Sequence, residues 1–81
     1  MSERLENIGK RAELKMERAR LSTECESLRS SLRRALPPEE EVASLDSEKI
    51  LNLALALNQS LTEFMAIDKK IRVLNDVLGG I

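Results

Sequence analysis

The side chains that could do chemistry are few, and their types bound the function at once. The 81-residue chain has one cysteine, Cys25, and no histidine. A zinc site of the ordinary Cys/His kind cannot be assembled from that set within one chain. A Ser-His-Asp or Cys-His nucleophile system is likewise absent. Three glycines, two of them adjacent at Gly79-Gly80, do not make a phosphate-binding loop or a dinucleotide fingerprint. Carboxylates and lysines are plentiful, but no convergent acid–base constellation is visible in their spacing. The reading is therefore non-enzymatic, with no cofactor, no metal and no small-molecule substrate expected.

What remains is binding chemistry. Arg4, Lys10, Arg11, Lys15, Arg18 and Arg20, with Arg29, Arg33 and Arg34 further on, could contact phosphates. Arg4, Arg11 and Arg18 share one heptad position, and with Lys15 they form the candidate nucleic-acid contact. Against it, the overall net charge is −1 and Phe64 is the single aromatic residue, so no platform for stacking bases exists. The plainer reading is a solvated helix face with intrahelical pairs at Glu6–Lys10 and Glu17–Arg20, worth tenths of a kcal/mol. Glu39-Glu40-Glu41 could hold a cation or a basic partner, but fits better as the first turn of a helix or a solvated bend; it lacks the oxygen-ligand spacing of an EF-hand. Cys25 could pair between chains, but on an apolar helical stripe it reads as a small buried hydrophobe. Met16 and Met65 read as core filling in the same way.

The elements that carry these residues are long helices. Leu, Glu, Arg, Ala and Lys dominate, a composition of long helices and coiled coils. Pro37-Pro38 cannot sit inside a helix, so a first helix over about 3–36 must end there. Ser2 is its natural N-cap. A Pro-containing bend over 37–46, with a short helical turn after Pro38, leads to a second helix over about 47–78. Asp46 is placed to cap it, Leu45 and Ile50 to staple it, and Gly79-Gly80 to end it. Equal helices joined by a short connection favour an antiparallel hairpin forming a single domain. Charge is divided along the chain: residues 1–36 carry net +3, 37–49 net −4, and 50–81 net zero.

The second helix holds a sustained heptad. Ile50, Leu57, Phe64, Ile71 and Leu78 form one row; Leu53, Ser60, Ile67, Leu74 and Ile81 form the other. Ser60 is the one polar interruption. Its hydroxyl either fixes register or bonds back to the preceding helical turn. On the first helix, Leu14, Leu21, Leu28 and Ala35 repeat every seven, with Cys25 and Leu32 alongside. The expected intrachain seam is thus Leu21, Leu28 and Leu32 against Ile50, Leu53, Leu57, Phe64, Ile67, Ile71, Leu74 and Leu78.

Two sets of apolar residues do not fit that seam. Leu51, Leu55, Leu61 and Met65 lie outside it, so the second helix is apolar on most of its circumference from 50 to 67. A helix of that kind expects burial on more than one side. In the first helix Leu5, Ile8, Ala12, Met16 and Ala19 define a stripe roughly opposite the Leu14–Ala35 stripe. Leu51, Leu55 and Met65, then Leu5 and Ile8, are the expected contacts with a second chain. The fold expected is all-α: an antiparallel, coiled-coil-like two-helix hairpin that dimerises into a four-helix bundle.

This architecture resembles the helical-hairpin dimers of the Rop type. The likeness extends over both helices, rests on periodicity, and brings no functional residue with it. The size and the Pro-containing bend also resemble small hairpin subunits of bacterial secretion machines. The functional expectation is a structural or regulatory adaptor that binds itself and another protein. A Rop-like nucleic-acid-binding regulator and a subunit or chaperone of a larger hetero-assembly are the alternatives. A cytoplasmic setting is expected from the lone thiol. No signal peptide is expected from Met1-Ser2-Glu3-Arg4, and no membrane role, since no run approaches about 18 consecutive apolar residues.

Overall fold

The structure is a computed structural model that describes residues 2–79. It contains helix α1 over Glu3–Ala35, a 3-10 turn over Val42–Ser44, and helix α2 over Ser47–Val77. Met1, Gly80 and Ile81 lie outside the described residues, so the roles expected of Gly80 as a stop and Ile81 as a seam residue are not addressed.

Local chemistry sets each boundary. The Ser2 side chain accepts the Arg4 backbone N–H at 3.2 Å, capping α1. Glu3 and Glu6 stand in its first turn, Arg33 and Arg34 in its last, each complementing the helix dipole. Leu36 is the C-cap rather than a helical residue, because Pro37 pushes it out of the α region. Asp46 caps α2 by accepting the Lys49 backbone N–H at 3.1 Å, with Leu45 and Ile50 both half-buried beside it. At the far end Gly79 adopts φ +89°, the left-handed conformation that a glycine takes without penalty. The short turn of the bend falls later than expected. Pro38 and Glu39 form a tight turn, closed by the Glu40 N–H on the Pro37 carbonyl at 3.4 Å. The 3-10 turn starts only at Val42, with Glu41 as its cap. Glu39-Glu40-Glu41 therefore solvate the bend and do not form a helical first turn.

The two helices pack along their length as an antiparallel hairpin. Three interhelical pairs give the register: Arg11 with Asn75, Arg18 with Asp68, and Glu24 with Ser60. Partners on α2 fall in number as those on α1 rise. The result is a rod of 62 × 18 × 14 Å.

The core of this rod is thin. Among the described residues, Leu21, Ile71 and Leu78 are the buried hydrophobic ones, at 1–3% exposure. Leu14, Leu28, Leu32, Ile50, Leu53, Leu57, Phe64, Ile67 and Leu74 line the same interface half-buried. A pair of helices has only one line of contact, so most seam side chains keep one flank in water. Full burial of a Leu or Ile contributes about 1.5–3 kcal/mol, and few positions here collect it. Ile71→Ala should cost about 2–4 kcal/mol in urea unfolding, whereas truncating half-buried Leu53 should cost clearly less; equal losses would contradict this placement of the core.

Candidate interaction surface

The seam itself is polar at one end. In the first half of α1 the positions facing α2 are Asn7, Arg11, Leu14 and Arg18. Arg18 reaches Asp68 at 2.7 Å, with side-chain exposures of 34% and 22%. The other Asp68 oxygen takes Arg72 at 2.9 Å. The Arg11 guanidinium donates to Asn75 Oδ1 at 3.0 Å. Arg11 and Arg18, two members of the candidate nucleic-acid row, thus turn across to α2. Arg4, in the same row at the end of α1, and Lys15 are exposed. The Glu17–Arg20 pair forms at 3.3 Å, and Arg20 also bonds Glu24 at 3.2 Å. The expected Glu6–Lys10 pair is not among the ion pairs of the described residues. Cys25 is half-buried on the seam rather than enclosed.

Ser60 is 4% exposed, and its hydroxyl donates to Glu24 Oε1 at 2.7 Å. Thr23 and Thr62, by contrast, bond back to the carbonyls one turn earlier, Ala19 and Asn58. Of its two readings, Ser60 takes the one that fixes register. A hydroxyl enclosed in a helix seam must find a partner, and one residue of slip between the helices would withdraw Glu24.

Away from the seam the rod exposes large apolar side chains. On α2, Leu51 is 57% exposed, Leu55 55% and Met65 67%, with Leu61, Val73 and Val77 also exposed. On α1, Leu5, Ile8 and Met16 are exposed. Met16 and Met65 are therefore surface residues, not core filling, because the single packing line of a hairpin does not reach them. Leu5, Ile8 and Met16 lie in the first half of α1, and Leu51 and Leu55 in the first half of α2, hence toward opposite ends of the rod. Rotation places Leu51, Leu55, Leu61 and Met65 on the same broad side as the α1 set, while Val73 and Val77 turn toward the other. At ~100° per residue each set is turned about 130° from its own seam in the same sense, and in antiparallel neighbours equal turns of the same sense face the same way. The apolar surface therefore crosses one side diagonally.

Two further features complete the surface. Helix α2 is long and apolar enough, by length and composition, to cross a membrane, yet only 6% of its most apolar window is buried. On the other broad side an open groove of about 580 Å³ has Leu14, Ala66, Val73 and Leu74 as its floor and Lys10, Lys69 and Lys70 at its rim. Among the described residues no group of three His, Cys, Asp or Glu could hold a metal ion. The surface can therefore offer apolar contact bordered by charge.

The chain matches no family model, no curated protein and no solved structure.

Reasoning from the sequence missed one feature of the site. Arg11 and Arg18 occupy seam positions of α1, and their spacing from Cys25 and Leu32 (seven residues each, in one line) was the signal. Ser60→Ala should lower stability by about 1 kcal/mol, as for a modest hydrogen bond to a partly exposed carboxylate, and a double-mutant cycle with Glu24→Gln should show coupling between the two. Additive effects would mean that the bond does not hold the register.

Proposed function

We propose that this chain is a non-enzymatic interaction module, a helical hairpin that forms a homodimeric four-helix bundle and serves as a structural or regulatory adaptor. The observation that carries this reading is the exposure of Leu51, Leu55 and Met65 on a helix whose other flank is already packed. Three buried hydrophobic residues among those described are a small core for a free-standing domain. Leu51, Leu55, Leu61 and Met65 fall on one face of α2, a cluster of the kind that marks a contact site. Covering it adds burial at about 25 cal/mol per Å², the term in which the hairpin is deficient.

A protein partner suits this surface better than a lipid. The apolar stretch of α2 contains Asn52, Asn58, Gln59, Thr62 and Glu63 on several sides, and each would cost free energy in hydrocarbon. A protein surface can pair them. With Arg11 and Arg18 held by α2, the basic row available to a phosphate backbone is short, which disfavours the nucleic-acid alternative. The lone thiol agrees with action in the cytoplasm.

Sedimentation equilibrium at micromolar concentration should give about twice the 9.1 kDa chain mass, and the thermal midpoint should rise with protein concentration. Leu55→Asp should shift the protein to monomer and lower that midpoint. A solvated position would tolerate this change within about 0.5 kcal/mol. A fully helical monomer whose melting is independent of concentration would overturn the reading.

A further inference from the structure

Charge on α1 is sorted by side. At ~100° per residue, Arg4, Arg11, Lys15, Arg18, Arg29 and Arg33 fall within an arc of about 60°, on one side of the seam. Glu3, Glu6, Glu13, Glu17 and Glu24 fall within about 80° on the other. Glu26 is the one acid of α1 turned toward the basic row, and it pairs with Arg29 at 2.7 Å. Packing against α2 accounts for Arg11 and Arg18, which bond Asn75 and Asp68. It does not account for Arg29 and Arg33. The register of the three seam pairs sets these level with residues 51–57 of α2. No acid lies between Glu48 and Glu63 in that helix. Glu39, Glu40 and Glu41 follow in the bend, yet Arg33 has no ion pair among the described residues.

What α2 sets beside Arg29 and Arg33 is apolar. Ala54 and Leu61 are exposed on the same broad side, and half-buried Ile50 and Leu57 turn their open flank toward it. The furrow between the helices there has an apolar floor and one bank of guanidinium groups. We infer that this furrow seats a helix of an acidic partner protein: an amphipathic helix whose apolar stripe covers Leu57 and Leu61 and whose acidic flank lies along Arg29 and Arg33. The inference names a partner class for the interaction module and rests on that reading, but not on self-association.

Each part of the furrow selects a part of that occupant. A straight furrow between two packed helices has the shape that a third helix fills. Leu57 and Leu61, one turn apart, call for apolar side chains at helical spacing. The guanidinium forks of Arg29 and Arg33 call for carboxylates. An acidic tail without apolar residues would leave both leucines wet, and a second copy presenting this same side would set its own arginines against these. The groove on the other broad side differs in charge, because its Lys10 stands within one turn of both Glu6 and Glu13. Leu51 and Leu55 lie about 60–120° further round α2 than Ala54 and Leu61, so a second copy on them and a helix in the furrow are separate contacts.

The test uses the full chain and two synthetic helices of about 18 residues with the same leucine stripe. One carries glutamates along a flank and the other lysines in the same places. The glutamate helix should bind at least about tenfold more tightly than the lysine helix in calorimetric titration. Arg29→Glu combined with Arg33→Glu should invert that preference. Lys10→Glu combined with Arg34→Glu, an equal charge change outside the row, should leave it in place, each variant being checked for helicity. Leu61→Asp should weaken the glutamate helix about tenfold. Equal effects of the two double variants would mean general charge attraction and overturn the inference, as would no preference between the helices. Tighter binding to phosphatidylserine vesicles than to the glutamate helix would overturn it as well. Sedimentation separates this from the dimer: a dimer without the peptide preference overturns the furrow alone, and a monomer that keeps the preference overturns self-association alone.

Discussion

The structure depends on the limit that one helix pair imposes on burial. Two straight helices touch along a single line, and each offers only about a third of its circumference to the other. α1 is built for that geometry over its second half, with Leu21, Cys25, Leu28 and Leu32 facing α2 and charged residues elsewhere. α2 is not. Its seam row is apolar, and so is a second row turned well away from it. The shape of the rod, its thin core and its exposed side all follow from that mismatch.

The polar groups of the seam show how a thin core can still be specific. Ser60 with Glu24, Arg18 with Asp68, and Arg11 with Asn75 form three rungs along the rod. One partly exposed ion pair and two hydrogen bonds of this kind add little to stability, commonly about 1 kcal/mol or less each. Their effect is on alignment. The half-buried leucines between them would accept several registers at similar cost, whereas the rungs favour one. Rigidity of register also matters for the outer face, because it holds the apolar patches of α1 and α2 in a constant relation.

Much of the hairpin is legible from local signals. Pro37-Pro38 breaks the helix for steric reasons that no tertiary contact can reverse, and Ser2 and Asp46 cap helices through their own side chains. The heptad of α2 is long enough that Ile71 and Leu78 fall in the core by period alone. The site is less legible. Leu51 and Leu55 are recognisable as surplus apolar residues, because counting faces requires only the helical period. The row Arg11, Arg18, Cys25, Leu32 places both arginines in line with the seam, but their partners Asn75 and Asp68 are fixed only once the neighbouring helix is placed. Glu6 and Lys10 illustrate the reverse: correct spacing for a pair, with Lys10 at the rim of a groove instead.

Taken alone, the sequence determined the helices, the bend and the surplus of apolar faces, because those rest on backbone sterics, capping and a period of 3.6 residues, all of them local. Only the tertiary structure decided which polar groups cross the seam, that Ser60 reaches Glu24 rather than its own preceding turn, and that Met16 and Met65 stay in solvent. These outcomes turn on the relative slide and rotation of two helices, a few degrees of freedom that no single segment encodes. The packing of the two helices likewise decided that Leu51 and Leu55 lie on the exposed side of α2.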